Sequence, residues 1–385
     1  MSDPTDSFGT RCVHAGQHPE AVTGAITPPV FQTSTYVQDG VARHRGYEYA
    51  RVQNPTREAA EANIAALEGG RHAVAFASGL AAIECVAKVV APGSHIVCEE
   101  NLYGGTLRLF NRVLATLGIE VSPVDTRDLG ALRSALRPGV TRLVHIETPT
   151  NPLMRVSDIE AVADAAHSAG AILCVDNTFA SPYNQLPLSL GADVVVHSTT
   201  KYLNGHSDVL GGALVLNDDA LAEEIRFVRM STGPIPGPMD SWLTMRGTKT
   251  LHLRMERHNE NGMGVARFME RQRAVQAVHY PGLPSHPDHA LASRQMTGFS
   301  GMLSVELDPP AARRLAEGTR LFRLAESLGG VESMISVPEA MTHASMPAED
   351  RLRMGITDGL VRLSVGIEDI RDLEEDLEQA LAGRG

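Results

Sequence analysis

Short apolar runs alternate with amphipathic stretches through the first half of the chain. The runs predict strands near 73–76, 96–98, 142–147, 171–176, 193–197 and 211–216. The stretches between them predict helices near 80–90, 104–117 and 157–168, the last opened by a capping box with Ser157 as its cap. Such alternation indicates a mainly parallel sheet with helices on both faces, which is an α/β fold.

The two ends of the chain have different patterns. Residues 1–55 lack sustained periodicity and are expected to form an extended arm that packs on a neighbouring subunit. A helix is expected to follow, capped by Asn54 and ended by Gly69. The Pro- and Gly-rich segment 231–240 divides a larger α/β domain, 56–240, from a smaller α+β domain, 241–385. In that second domain we expect a helix over 240–270, strands near 301–307 and 360–365, and a terminal helix from about 368.

Composition excludes several classes of protein. No apolar stretch approaches the length that crosses a bilayer, and the formal net charge of −12 argues against non-specific nucleic-acid binding. The four cysteines show no C-x-x-C spacing, and the N-terminus lacks the features of a signal peptide, so a cytoplasmic location is expected. No metal site is expected, because the His286-Pro287-Asp288-His289 segment has no third ligand nearby.

The segment Ser198-Thr199-Thr200-Lys201 places one lysine among hydroxyls at the end of a buried strand. Asp176 ends an earlier strand, and the two side chains are expected at one edge of the sheet. Pyridoxal phosphate needs such a pair, a lysine to form a Schiff base and a carboxylate to keep the ring nitrogen protonated. Taken singly, each residue is more commonly a solvated lysine or a helix-capping aspartate.

A glycine turn leads from a strand into a helix at Phe76-Ala77-Ser78-Gly79-Leu80. The free amides at such a helix start bind phosphate readily, although the glycine could equally serve only the turn. The G-x-G-x-x-G fingerprint of nicotinamide dehydrogenases is absent, which disfavours that alternative class.

Three further segments offer polar or aromatic groups. Tyr49 and Arg51 lie two residues apart and would share one side of an extended segment, as many surface pairs do. Tyr103 precedes a helix and could cover a cofactor ring or pack in the core. The loop after Glu147 would present Asn151 at the sheet edge, unless it is an ordinary proline turn.

These segments, taken in order, resemble the Cys/Met-metabolism family of pyridoxal-phosphate enzymes from about residue 9 to the C-terminus. The motifs that carry the resemblance are YEYAR before NPT, SGLAA, LYGGT, ETPTNP, VDNTF, HSTTKY, AESLGG and MTHAS. The resemblance implies the fold-type I architecture of that family, a pyridoxal 5′-phosphate cofactor and a homotetramer built as a dimer of dimers.

The resemblance also implies roles for individual residues. Lys201 is the Schiff-base lysine, Asp176 the partner of the ring nitrogen and Tyr103 the stacking residue. The phosphate is held by Gly79, Leu80, Ser198 and Thr200, together with Tyr49 and Arg51 of the neighbouring subunit. The substrate is oriented by Asn151, Glu326, Ser327 and Arg362, with Arg362 binding the α-carboxylate.

Within the family, two positions discriminate between activities. Glu326 is typical of members that act on cystathionine, whereas methionine γ-lyases carry a cysteine where this chain has Gly105. The resemblance therefore implies γ-elimination of cystathionine to cysteine, 2-oxobutanoate and ammonia. Formation of cystathionine from an activated homoserine and cysteine is the alternative, and γ-elimination of methionine is less expected. A cofactor-binding protein without turnover would need the loss of a catalytic residue, and Lys201, Asp176, Tyr103 and Arg362 are all present.

Overall fold

The computed structural model describes residues 7–89, 93–344 and 346–383. The larger of two sheets contains β1 His72–Phe76, β2 His95–Glu99, β3 Glu120–Val124, β4 Thr141–Glu147, β5 Ile172–Asp176, β6 Val194–His197 and β7 Gly212–Leu216. Their order across the sheet is β1-β7-β6-β5-β4-β2-β3, and β7 runs antiparallel to both of its neighbours. The remaining pairs are parallel, so the predicted mainly parallel sheet is confirmed.

A smaller sheet follows in the second half of the chain. It contains β8 Ala277–His279, β9 Met302–Glu306, β10 Arg323–Leu324, β11 Met334–Ser336 and β12 Leu360–Ser364, in the order β10-β11-β12-β9-β8. Only the β10–β11 pair is parallel among these described strands. The predicted strands near 301–307 and 360–365 are β9 and β12. The proposed domain limits at 55 and 240 stay predictions.

The helices lie on both faces of the larger sheet and against the smaller one. They are α1 Phe8–His14, α2 Pro55–Glu68, α3 Gly79–Val89, α4 Gly104–Arg108, α5 Leu129–Ala135, α6 Ile159–Ser168, α7 Ser181–Asn184, α8 Asp219–Thr232, α9 Pro238–Thr248, α10 Leu251–Glu270, α11 His289–Gln295, α12 Pro309–Gly318, α13 Ala348–Arg353 and α14 Ile370–Leu381. Among the described residues, no helix is both long and apolar enough to cross a membrane.

Apart from the edge strand β3, whose residues are exposed or half-buried, the strands of the larger sheet are largely buried on both faces, which explains why they read as continuous apolar runs. Along β6, Val194 and Val196 pack into one core with α3 and α8, while Val195 packs into another with α2 and α6. A third core joins the smaller sheet to α10, α12 and α14. Because β1, β2, β4, β5 and β6 run in one direction, their carboxyl ends meet at a single edge.

Helix boundaries follow local chemistry, and α2 begins as predicted. The side chain of Asn54 accepts hydrogen bonds from the N–H groups of Thr56 and Arg57, and Gly69 ends the helix with φ of 77°. The predicted cap of α6 is wrong by one residue. Asp158, not Ser157, accepts from the N–H of Ala161.

Three other helix predictions need correction. The arm contains α1, whose Cys12 is fully buried in a core that includes Leu251 of α10, so tertiary packing forms this helix without a long periodic pattern. The expected helix 104–117 consists of α4, a π-helical segment 109–113 and a 3₁₀ segment 114–117, after a Gly-Gly start of low helix propensity. The expected helix 240–270 is broken between α9 and α10, where Gly247 packs against the backbone of Asn204 and its carbonyl accepts a hydrogen bond from Arg254.

Candidate active site

A cavity of about 410 Å³ lies at the carboxyl edge of the larger sheet, closed by residues from the smaller one. It is lined by every predicted site residue except Tyr49 and Arg51: Gly79, Leu80, Tyr103, Asn151, Asp176, Ser198, Thr200, Lys201, Glu326, Ser327 and Arg362. The sheet topology brings these residues together, because the turns after β1, β4, β5 and β6 open at one edge.

Lys201 lies in the turn that follows β6, where its N–H donates to the carbonyl of Ser198 (3.2 Å). Its Nζ donates to the hydroxyl of Ser327 at 2.7 Å, which aims the amine into the cavity. Burial and the positive charge of Arg362 lower the pKa of Lys201 to about 8, against an opposing effect of Glu326. Near neutral pH, the amine is therefore more easily deprotonated than an exposed lysine.

The turn between β1 and α3 forms a cradle of backbone groups. The first N–H groups of a helix have no intrahelical partner, and here they belong to Gly79 and Leu80. A Cβ at Gly79 would lie 3.0 Å from Cβ of Ser198, so glycine permits this close approach. The hydroxyl of Thr200 accepts from the N–H of Gly211 at 3.0 Å. Helix dipole, amides and hydroxyls together suit a phosphate.

Asp176 ends β5 and lines the same cavity as that cradle. Its carboxylate accepts from the N–H of Thr178 at 3.0 Å. Burial raises the pKa of Asp176, while the hydrogen bonds from Thr178 and the charge of His197 oppose that effect. A buried carboxylate held in this way is a suitable partner for a protonated ring nitrogen.

Arg362 reaches the cavity from β12 of the smaller sheet and is 3% exposed. Its Nη1 donates to Oδ1 of Asn151 (2.8 Å) and its Nη2 to the carbonyl of Ser327 (2.9 Å). Its Nε has no hydrogen-bond partner among the described residues. The guanidinium therefore keeps free N–H groups for a carboxylate of a substrate.

The loop that carries Glu326 and Ser327 has a strained backbone. Ser327 adopts φ of 110°, which an L-residue rarely does. This conformation directs its hydroxyl to Lys201 and its carbonyl to Arg362. Strain of this kind is typical of functional sites. Glu326 lies exposed beside the cavity, close enough to act electrostatically on Lys201 and Arg362.

Tyr103 stands at the start of α4 with 41% of its surface exposed, not in the core. A Cβ at Gly105 would overlap its ring, 3.0 Å from Cδ1 and closer still to Cε1. The tyrosine ring therefore occupies space that a larger residue at 105 would fill. This contact gives Gly105 a physical role beyond its value as a family marker.

Tyr49 and Arg51 are not brought to this cavity by the single chain. Both are exposed, and Arg51 donates to the carbonyl of Met230 at 2.6 Å while its guanidinium lies 5.6 Å from the centre of the Tyr49 ring. Their predicted contact with the phosphate belongs to a neighbouring subunit and stays a prediction.

Some cavity residues were not predicted from the sequence. Glu147, Thr178 and Thr342 line the cavity with polar groups, and Phe179 and Leu328 add apolar surface. A signal existed for Glu147 and Thr178, since both lie at strand ends on the predicted edge. Thr342 comes from a loop that no periodicity places.

The residues present fit pyridoxal phosphate. The cavity combines an amine of lowered pKa, a buried carboxylate, a helix start able to hold phosphate and an aromatic ring beside them. Fold and site together define a pyridoxal-phosphate-dependent enzyme.

Comparison with known proteins agrees with this class. A family model described as "Cys/Met metabolism PLP-dependent enzyme" matches residues 9–382. The chain is 54% identical to cystathionine gamma-synthase of Mycobacterium tuberculosis, over 97% of this chain and 96% of that protein. It is 51% identical to cystathionine gamma-lyase of Bacillus subtilis, over 97% and 98% of the two chains.

A solved structure, cystathionine gamma-lyase from Lactobacillus plantarum complexed with L-serine, superposes with a TM-score of 0.96 at 44% identity. That comparison covers 98% of this chain and 99% of the other. The chain belongs to the Cys/Met-metabolism family of pyridoxal-phosphate-dependent enzymes, in the group of cystathionine lyases and synthases.

Proposed function

We propose that this enzyme is a cystathionine γ-lyase, which converts cystathionine and water to cysteine, 2-oxobutanoate and ammonia. The supporting observation is that Glu326 stands beside the same cavity as Lys201 and Arg362. Cystathionine carries an amino-acid group at each end. Arg362 would bind the carboxylate at the reacting end, and Glu326 would bind the amine at the distal end.

The cofactor contacts follow from the chemistry of each group. The N–H groups of Gly79 and Leu80 and the hydroxyls of Ser198 and Thr200 would hold the phosphate. Asp176 would pair with the ring nitrogen, and the ring of Tyr103 would lie against the cofactor ring. Bound pyridoxal phosphate supplies an electron sink that stabilises negative charge at Cα of the substrate.

The proton transfers are assigned to residues of the chain. Lys201, with its pKa lowered to about 8, would remove the proton from Cα of the substrate. The hydroxyl of Ser327 orients Nζ of Lys201 by the 2.7 Å hydrogen bond. The hydroxyl of Tyr103, or Lys201 itself, would protonate the departing sulfur. Arg362 and Asn151 hold the carboxylate end in place during these steps.

A second candidate is cystathionine γ-synthase, which joins an activated homoserine, carrying a succinyl or acetyl group, to cysteine. The 54% identity to the mycobacterial synthase favours it. In that reaction Glu326 would bind the amine of the incoming cysteine. The two reactions share the removal of protons from Cα and Cβ and differ in whether a second substrate adds at Cγ.

Product analysis tests these two candidates. Purified enzyme with pyridoxal phosphate is given cystathionine alone and, separately, O-succinyl- or O-acetylhomoserine with cysteine. The lyase predicts rapid release of cysteine and 2-oxobutanoate from cystathionine. Efficient synthesis with little cleavage would establish the synthase instead. The Lys201→Ala variant, which should form neither set of products, is the control for contaminating activity.

We also propose an assembly in which two subunits complete each active site. Tyr49 and Arg51 of one subunit would contact the phosphate held by its neighbour, and two such dimers would form a homotetramer. Arg51→Ala should then weaken cofactor binding although Arg51 lies outside the cavity of its own chain. Unchanged cofactor affinity in that variant would argue against a shared site. The expected cytoplasmic location stays a prediction.

A further inference from the structure

Glu147 is a buried carboxyl group for which the sequence predicted no role. It is the last residue of β4, is 4% exposed, and lines the active-site cavity. In the register of the sheet it lies directly across from Asp176 of β5. Two carboxyl groups therefore stand side by side where the cofactor ring is expected.

The contacts of Glu147 reach two separate turns. Its Oε2 accepts from the backbone N–H of Tyr103 at 2.9 Å, and the backbone of Asn151 also hydrogen-bonds to its carboxyl group. Tyr103 follows β2, whereas Asn151 lies in the turn after β4. One side chain thus joins the turn that carries the stacking ring to the turn that carries a substrate-orienting amide.

These bonds belong to a longer chain of contacts through the site. Asn151 accepts from Arg362, Arg362 donates to the carbonyl of Ser327, and Ser327 accepts from Lys201. The chain runs without a gap from the Tyr103 turn to the amine of Lys201. Glu147 is the member that links Tyr103 to the other residues.

The charges around Glu147 make its position unfavourable for a carboxylate. Burial and the charges of Asp176 and Glu99 raise its pKa, while the N–H groups of Tyr103 and Asn151 oppose that effect. Glu147 and the buried guanidinium of Arg362 also interact electrostatically. The hydrogen bonds from the two turns, together with the charge of Arg362, therefore favour the carboxylate at this position.

We propose that Glu147 is a positioning residue that fixes the turns of Tyr103 and Asn151 relative to each other at the cofactor cavity. The inference rests on the roles proposed above for those two residues. Glu147 itself acts through their backbone N–H groups and needs no contact with the substrate.

Glu99 provides a matched control. It ends the neighbouring strand β2, is 1% exposed, and accepts from the N–H groups of Asn101 and Thr126, both at 3.0 Å. It does not line the cavity. Glu99→Asp and Glu147→Asp therefore shorten two similar buried carboxyl groups at one sheet edge, and only the second touches the proposed site.

The experiment compares Glu147→Gln, Glu147→Asp and Glu99→Asp as cofactor-loaded proteins. For each, the thermal midpoint, the dissociation constant of pyridoxal phosphate, the circular dichroism of the bound cofactor, and kcat and KM for cystathionine are measured. Glu147→Gln keeps an acceptor oxygen at full reach, whereas Glu147→Asp keeps the carboxyl group and is one methylene too short.

We expect Glu147→Asp to weaken cofactor binding about tenfold, to reduce the circular dichroism of the cofactor and to raise KM. Glu147→Gln should stay within about threefold of the wild type, and Glu99→Asp should change only the thermal midpoint. The proposal is overturned if the two Asp variants lose only thermal stability, or if Gln is as harmful as Asp at 147. Cofactor binding and dichroism need no substrate, so they remain informative even if cystathionine proves not to be turned over.

Discussion

Replacing Arg362 with lysine should separate charge from hydrogen-bond geometry at the substrate carboxylate. The guanidinium has five N–H groups, of which one donates to Asn151 and one to Ser327. Three remain, enough for a bidentate bond to a carboxylate. An ammonium has three, and the same two partners would leave only one.

The variant should therefore lose one charge-assisted hydrogen bond to the substrate. Such a bond contributes about 1.5–3 kcal/mol, which corresponds to a fall of about 10- to 150-fold in kcat/KM for cystathionine. Initial rates over a range of cystathionine concentrations measure this fall, and KM should carry most of it. Visible absorption of the bound cofactor should be unchanged, because Arg362 is not expected to hold the cofactor.

Arg229→Lys is the control for changing a buried arginine. Arg229 is 3% exposed, bonds to Glu61 and to the carbonyl of Ala75, and does not line the cavity. It should alter stability with little effect on KM. The reasoning about Arg362 would be refuted if Arg362→Lys kept kcat/KM within about threefold of the wild type, since that is less than one such hydrogen bond.

Three further predictions concern Tyr103 and Lys201. Gly105→Ala should displace the Tyr103 ring and lower kcat about tenfold. Gly104→Ala is the control and should lower kcat less, because its Cβ would meet only the carbonyl of Thr342 at 3.2 Å. Equal losses of kcat in the two variants would contradict the steric argument. The rate at which pyridoxal phosphate loads onto cofactor-free protein should increase as the pH rises through about 8, because only the neutral amine of Lys201 reacts with the aldehyde. An inflection of that rate near pH 10.5 would contradict the assigned pKa. The free energy of unfolding of the cofactor-free chain should also increase as the pH rises from about 8 to 10.5. In that range Lys201 is still protonated in the unfolded chain but largely neutral in the folded one.

Sequence patterns predicted six of the seven strands of the larger sheet, because those six are largely buried on both faces. The edge strand β3 was missed, because its residues are exposed or half-buried and form no apolar run. Their apolar runs ended at Glu147, Asp176 and His197, and parallel strands necessarily bring those ends to one edge. The antiparallel insertion of β7 between β1 and β6 was not predicted, because pairing between distant strands leaves no local signal.

The smaller sheet's share of the site could not be derived from local pattern. Arg362 and Ser327 meet Lys201 only because the fold brings β12 and the loop between β10 and β11 to the cavity, and the family resemblance, not periodicity, placed them there. The same limit explains the helix errors. Burial of Cys12 stabilises α1, and the close approach of Gly247 to Asn204 accompanies the break before α10, both of which are tertiary effects.

The central claim is that Lys201 holds pyridoxal phosphate in this cavity, and the chain suits a direct test because it has only three lysines, Lys88, Lys201 and Lys249. Lys88 pairs with Glu84 at 2.8 Å, and Lys249 donates to the carbonyl of Val13 at 3.4 Å; neither lines the cavity. Borohydride reduction of the loaded enzyme, followed by peptide mass mapping, identifies the lysine that carries the cofactor. We predict modification of the peptide that contains Lys201. Modification of Lys88 or Lys249 with Lys201 unmodified would contradict the account.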